Sequence, residues 1–252
     1  MNIEILGCSG GIGKNLKTTT FLINESLLLD AGTGVELLTL EQMTAIRQVL
    51  ITHAHLDHIV GLPLMLATIY DAHRQPIDLY ALPEVIDALQ QHIFNWTLWP
   101  DYTVLPEEQP IVRLHKISVG DRLALDEINV TVLPSEHPTP TCGYLLADNH
   151  SSFAFSGDTG CNDALWPILN RLQPQLLIID VSFTNELDEL AKLSGHLTPA
   201  QLAEQLSRLE YDCEILITHL KPGFEEAIMQ QCQPLLVSHN ARRLLHNERI
   251  SL

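Results

Sequence analysis

The segment VLITHAHLDHIVG (Val49–Gly61) places three histidines and an aspartate within six positions, directly behind an apolar, β-branched run. Such a run reads as a buried strand, so the chain must open an ionisable loop at the mouth of its own core. In an extended segment alternate side chains share a face, which points His53 and His55 the same way. Asp57 and His58 follow where the pattern turns helical, and the turn aims them at a neighbouring point. Neutral imidazoles and a carboxylate are the ligands that Zn²⁺ and similar divalent ions prefer. A run of exposed loop polars is the plain alternative; it suits one histidine far better than this set behind a buried strand.

The remaining sequence alternates between strand-like and helix-like periods. NIEILG, TTFLIN, SLLLDAG and RQVLIT read as strands, with a helix near GVELLTLEQMTAI. After the histidines, IVGLPLMLATIYDAH and PEVIDALQQHIFN read as helices around a strand IDLYAL. IVRLHKIS, INVTVLPS, CGYLLA and SSFAFSGD are expected strands, the last two joined by a polar turn at Asp148–His150. The final third reads as helix (DALWPILNRL), strand (QLLIIDVS), helix (TPAQLAEQLSRL), strand (CEILITH) and a weaker helix near EEAIMQQC. Strand runs in each half, flanked by helices, predict an α/β fold of two sheets covered on their outer faces. At 252 residues and 46% hydrophobic, residues 1–252 suffice for one large core and one domain.

The glycine-rich start does not make a phosphate loop. Cys8 and Asn15 stand where such a loop needs Gly and Ser or Thr, and the β-branched LKTTTFLIN follows instead of a helix. Its glycines read as a tight turn at positive φ.

Other function classes are excluded by composition. No apolar run is long enough to span a bilayer, and MNIEILGCSGG lacks the basic n-region of an export signal. Five scattered cysteines without C-x-x-C spacing fit reduced thiols in a cytoplasm. A net charge of −17 with no basic run argues against long polyanions as partners. A phosphate-bearing substrate should therefore be small, with its charge met locally.

One cluster cannot close two metal sites, so other ligands must come from elsewhere. His137 in VLPSEHP, Asp158 in FAFSGDTG, Asp180 in LLIID and His219 in EILITH each fall at the end of an expected strand. Singly, each reads as a satisfied polar residue. Together with the cluster they reach the ligand count of a dinuclear centre. Asp158 is the natural bridge, since one carboxylate can offer an oxygen to each metal.

THAHLDH, His137, SGDTG and THLKP resemble the H-x-H-x-D-H motif and later ligands of the metallo-β-lactamase fold superfamily, over essentially the whole chain. HAHLDHIVG is similar to the signature of class II cyclic-nucleotide phosphodiesterases, and IDVSF and GHLTP resemble later motifs of that family and of ribonuclease Z. The resemblance implies an αββα sandwich with its site at one edge between the sheets. It implies two divalent ions, Zn²⁺ with Mn²⁺ or Fe²⁺ as alternatives. One would sit on His53, His55 and His137, the other on Asp57, His58 and His219, with Asp158 bridging and Asp57 also counted as catalytic. A hydroxide between the ions would be the nucleophile. The implied substrate is a 3′,5′-cyclic nucleotide, cyclic AMP foremost. Ribonuclease Z-like processing and hydrolysis of other bonds by the same fold are the alternatives, and a homodimer is an open possibility.

His196 lies in SGHLTPAQLAEQL, where Thr198, Pro199 and Gln201 form a capping box that starts a helix just after it. The functional reading makes His196 the general acid for the leaving oxygen, oriented by Asp180. Phe94, Trp96, Trp99 and Tyr102 could stack a base or form a dimer contact, with burial in the core as the ordinary alternative. Lys221 reads as a solvated lysine; His73, His92, His115, His150, His239 and His246 read as ordinary polar residues.

Overall fold

The structure is a computed structural model that describes residues 1–72 and 75–252. His73, the expected end of one helix, lies outside the described residues.

Six strands of the N-terminal half lie in chain order in one sheet: β1 (Asn2–Gly7), β2 (Thr20–Ile23), β3 (Leu27–Leu29), β4 (Gln48–Leu50), β5 (Ile77–Ala81) and β6 (Val112–Lys116). The next seven form a second sheet, again in chain order. They are β7 (Arg122–Leu125), β8 (Ile128–Pro134), β9 (Cys142–Ala147), β10 (Ser152–Phe155), β11 (Leu176–Asp180), β12 (Glu214–Thr218) and β13 (Asn240–Arg243). The last strand, β14 (Arg249–Ser251), returns to pair antiparallel with β1. Both sheets then follow one plan, three antiparallel pairings succeeded by three parallel ones.

Parallel neighbours need a crossover, and each crossover here carries helix. In the first sheet these are α1 (Leu40–Ala45), then α2 (Leu56–Ile59) with α3 (Gly61–Ile69), then α4 (Pro83–Ala88), which runs into a π turn. In the second they are α5 (Leu165–Leu172), then α6 (Asp188–Ser194) with α7 (Pro199–Leu206), then α8 (Glu225–Leu235). Strand β11 shows how the layers close. Leu176 and Ile178 enter the core between the sheets, while Leu177 and Ile179 pack outward with Trp166, Leu169, Leu202 and Ile228 of the covering helices. A strand buried on both faces has to be apolar throughout, as LLIID is until its last residue. Across the inner layer Phe21 meets Phe155 edge-on at 5.1 Å, and Tyr144 Oη donates to the Ile51 carbonyl at 2.8 Å. The αββα sandwich expected from the sequence is the architecture found.

Local readings fail where polar chemistry overrides periodicity. GVELLTLEQMTAI is split: a 3₁₀ turn covers Thr33–Leu37, Leu38 is extended, and Thr39 starts α1 through a reciprocal capping box with Gln42. The glycine-rich start is also corrected. Positive φ in that segment belongs to Asn15 (63°), not to Gly10, Gly11 or Gly13. Gly10 is there for close approach, since a Cβ would lie 2.3 Å from the His219 carbonyl oxygen.

Candidate metal centre

The ends of β4, β8, β10, β11 and β12 meet along one edge of the sandwich. Past β4 the chain bends at Thr52 and passes His53 to His55, whose extended backbone caps α2, and α2 then carries Asp57 and His58. His137 follows β8, Asp158 follows β10, Asp180 ends β11, and His219 follows β12 at a left-handed φ of 62°. His196 sits between the left-handed Gly195 that stops α6 and the Thr198 cap of α7. All seven expected ligands come together. His53, His55, His137 and Asp158 each offer a donor atom within 4.8 Å of the others, as do Asp57, His58 and His219. Asp158, Asp180, His196 and His219 form a third such set.

Hydrogen bonds fix which imidazole nitrogen is free. His137 Nδ1 donates to the Gly195 carbonyl at 2.9 Å, and His58 Nδ1 donates to Asp30 Oδ2 at 2.7 Å. The Thr52 hydroxyl gives its proton to Asp30, so its oxygen accepts from His53 Nδ1 at 3.0 Å. Ser182 repeats the pattern: its hydroxyl donates to Asp180 Oδ1 at 2.7 Å and accepts from His219 Nδ1 at 2.8 Å. Four histidines thereby carry their proton on Nδ1 and turn a bare Nε2 lone pair inward. His196 Nδ1 donates to the other Asp180 oxygen at 2.6 Å.

The inward atoms fit a cation better than they fit each other. His53 Nε2, His58 Nε2 and Asp158 Oδ1 are buried without a hydrogen-bond partner, which a stable interior rarely tolerates. Asp158 lies 3.6 Å from His53 Nε2 and 3.4 Å from His58 Nε2, and His219 Nε2 lies 3.3 Å from both Asp57 and Asp158. Donors ~2.1 Å from a tetrahedral ion stand about 3.4 Å apart, so these spacings fit donor atoms that would share a cation. His137 Nε2 and His55 Nδ1 stand 3.4 Å apart on the same terms.

Charge balance agrees. Burial, then crowding by neighbouring imidazoles, depresses the pKa of His53 and His55; burial also depresses that of His137, and all three favour the neutral, ligating form. Burial works against an ionised Asp158 and against a positive His58 alike, yet positive charge on His219 and His58 would hold the Asp158 carboxyl well below its usual range, and Asp158 with Asp30 pulls His58 well above its own. The carboxylates call for a cation at this point, a charge that a metal ion on the Nε2 atoms would supply in place of a proton. Burial likewise opposes the His196 cation, yet the Asp180 charge and hydrogen bond prevail and raise its pKa.

Three supporting groups escaped the sequence reading. Asp30 ends the SLLLDAG run, the same strand-end signal that singled out Asp158 and Asp180, and it was legible on those terms. Thr52 and Ser182 stand inside THAHLDH and IDVSF, but nothing in those stretches gives their hydroxyls a role, because a hydroxyl at a strand end is common. Of the aromatic segment, Phe94 and Tyr102 are buried, Trp99 packs on the core, and Trp96 is 63% exposed. Their ring contacts run to Tyr70, beside α3, rather than to the ligand cluster. Lys221 is not a solvated lysine: Nζ donates to the Gly10 carbonyl at 2.9 Å and stands 6.0 Å from the Phe183 ring centroid.

Residues 25–220 match the family model described as "Beta-lactamase superfamily domain". The chain is 31% identical to the "Probable 3',5'-cyclic-nucleotide phosphodiesterase" of Yersinia pestis over 77% of its own length and 62% of that protein's. It is 32% identical to a ribonuclease Z of Clostridium beijerinckii, over 74% of this chain and 63% of that one. The fold superposes on unliganded yeast PDE1 with a TM-score of 0.85, covering 100% of this chain and 99% of that one at 19% identity.

Proposed function

The chain belongs to the β-lactamase superfamily, and on that premise we propose that residues 1–252 act as one domain, a metal-dependent phosphodiesterase opening 3′,5′-cyclic nucleotides, cyclic AMP foremost, to 5′-monophosphates. The residues that would hold metal are His53, His55 and His137 for one ion and Asp57, His58 and His219 for a second, with Asp158 shared; Zn²⁺ is the first choice, Mn²⁺ or Fe²⁺ the alternatives. Such ions supply Lewis acidity toward phosphoryl oxygens and lower the pKa of a water beside them.

The observation that carries the reading is the His196–Asp180 pair at the edge of this centre. When a 3′,5′-cyclic phosphodiester opens, the departing ribose oxygen is a strong base and needs a proton as its bond to phosphorus breaks. With Nδ1 anchored on Asp180, His196 can bring that proton only from Nε2, which fixes the direction of delivery. Acyl transfer to a weakly basic leaving group has no use for this pair. Free thiols at all five cysteines support a cytoplasmic setting, and among the described residues no helix is long and apolar enough to cross a membrane.

The ribonuclease Z relative favours a second reading, cleavage of precursor tRNA. The net charge of −17 opposes it, because a long polyanion would meet repulsion rather than counterion release. One experiment separates the two. His196→Ala should keep its metals while kcat on cyclic AMP falls roughly 10²–10⁴-fold. A nitrophenyl phosphodiester, whose leaving group departs unprotonated, should be far less affected. Equal losses on both substrates would overturn the general-acid role, and efficient processing of precursor tRNA by the unaltered chain would overturn the substrate.

A further inference from the structure

A groove of about 280 Å³ opens beside the centre, with His137 and His196 on its inner wall and Glu136, Pro138, Cys161 and Lys192 on its rim. Resting on the phosphodiesterase reading, we propose that this groove holds the ribose and base of the substrate, with Lys192 and Glu136 reading the edge of the base.

The argument starts from the bond that breaks. Water oxygen joins phosphorus, the bond from phosphorus to the 3′ oxygen breaks, and the proton of His196 ends on that oxygen. That oxygen belongs to the ribose, so sugar and base must lie against His196. His196 lines this groove together with His137, one of the expected ligands. Larger cavities on the outer faces, beside α1 and β14 and beside α8 and β13, touch none of the site residues. Its volume lies just below the roughly 300–1,000 Å³ of small-molecule pockets, so it would seat a nucleoside with part of it left open to solvent.

The rim is pre-organised. Gln201, in the cap of α7, accepts from the Thr198 N–H at 3.0 Å and donates to Asp188 at 2.8 Å. Asp188 in turn holds the Lys192 ammonium at 2.6 Å. The cap that follows His196 therefore also positions a cation on the groove. Across from it, the backbone of Glu136 is pinned by Thr159 and Gly160, which leaves its carboxylate exposed. A donor and an acceptor on the rim are what a purine edge requires: the Lys192 cation suits the O6 and N7 acceptors of guanine, and the Glu136 carboxylate, free on a pinned backbone, suits an exocyclic amino group.

The test compares kcat/KM for cyclic AMP and cyclic GMP in the unaltered chain, Cys161→Trp and Lys192→Ala, with metal content measured in each. Cys161→Trp fills the groove and should lower both values by about 10-fold or more, the scale of a displaced substrate. Lys192→Ala should lower cyclic GMP turnover about 3- to 10-fold more than cyclic AMP turnover, the worth of one hydrogen bond. Metal content should not change. Unchanged kinetics in metal-replete Cys161→Trp, or an unchanged nucleotide ratio in Lys192→Ala, would overturn the groove assignment alone. If Cys161→Trp does not fold, Lys192→Ala, on an exposed face, decides. Failure of the unaltered chain to hydrolyse either nucleotide would overturn the phosphodiesterase reading and this assignment with it.

Discussion

The two sheets deliver the site in opposite ways. After β4 one short loop and the turn behind it supply His53, His55, Asp57 and His58, whereas the second sheet sends His137, Asp158, Asp180 and His219 from four separate strand ends. Beneath that difference lies one anchoring device used twice. Asp30, at the end of β3, takes the Thr52 hydroxyl and holds His58 directly and His53 through Thr52. Asp180, at the end of β11, takes the Ser182 hydroxyl and holds His196 directly and His219 through Ser182. On the proposed function, both seated histidines of the first sheet would hold metal, whereas in the second one would hold metal and the other would carry the proton. The same buried carboxylate and hydroxyl would then serve ligation in one half, and ligation joined to acid catalysis in the other.

Asp158 is where the halves meet, since its oxygens lie within 3.6 Å of His53 and His58 from the first sheet and of His219 from the second. Replacing it should have the largest effect. Asp158→Ala is expected to lose most bound metal and all measurable phosphodiesterase activity. Two metal equivalents retained per chain would break the idea that this carboxylate joins the halves.

The two anchors should then fail differently. Asp30 is fully buried beneath two ligands, and burial itself raises its pKa against the pull of His58. Asp30→Ala leaves His58 Nδ1 and the Thr52 N–H and hydroxyl proton without their acceptor inside the core, a loss on the order of 3–5 kcal/mol, seen as a lower Tm together with lower metal content. Asp180→Asn should spare most metal and act on kcat for cyclic AMP, because the imidazole it releases is the proposed proton carrier. Identical profiles for the two variants would erase the distinction between the halves.

The contrast also explains what the sequence could show. A six-residue cluster behind an apolar strand is readable because the strand period and the ligand types coincide in one window. The second sheet's ligands are readable only jointly, since an acidic residue or histidine ending a strand has many ordinary explanations; Asp30, with the same signal, was passed over for that reason. The capping box at Thr198 was legible, and the same T-x-x-Q pattern at Thr39 lay hidden inside an apolar period. Helix α6 and strands β7, β13 and β14 carry no period that marks them in the sequence. Strand β13 (NARR) and strand β14 (RIS) are short, polar edge strands whose pairing is set by tertiary contact rather than by burial on one face.

Ser182 offers the finest test of the comparison. Its hydroxyl is fully buried between Asp180 and His219; by donating to Asp180 it turns its lone pair on His219 Nδ1 and so keeps the proton off Nε2. Without it His219 stays in place, held by its backbone contacts to Cys8, but either nitrogen can carry the proton. Only one of the two tautomers then binds metal. Loss of such a supporting contact costs metal affinity about 10- to 100-fold, so Ser182→Ala should weaken metal in a chelator competition by that factor. At saturating metal kcat should recover most of the way, because the Asp180–His196 bond at 2.6 Å remains. Ser182→Thr keeps the hydroxyl and should restore affinity where the added methyl fits. Thr52→Val is the matching change in the first sheet, removing the hydroxyl beneath His53 while Asp30 still holds His58. It too should lower metal affinity, without any effect on the ratio of cyclic AMP to nitrophenyl diester turnover. Ser182→Ala with unchanged metal affinity would show that Asp180 serves His196 alone, and the second sheet would lose the double role assigned to it.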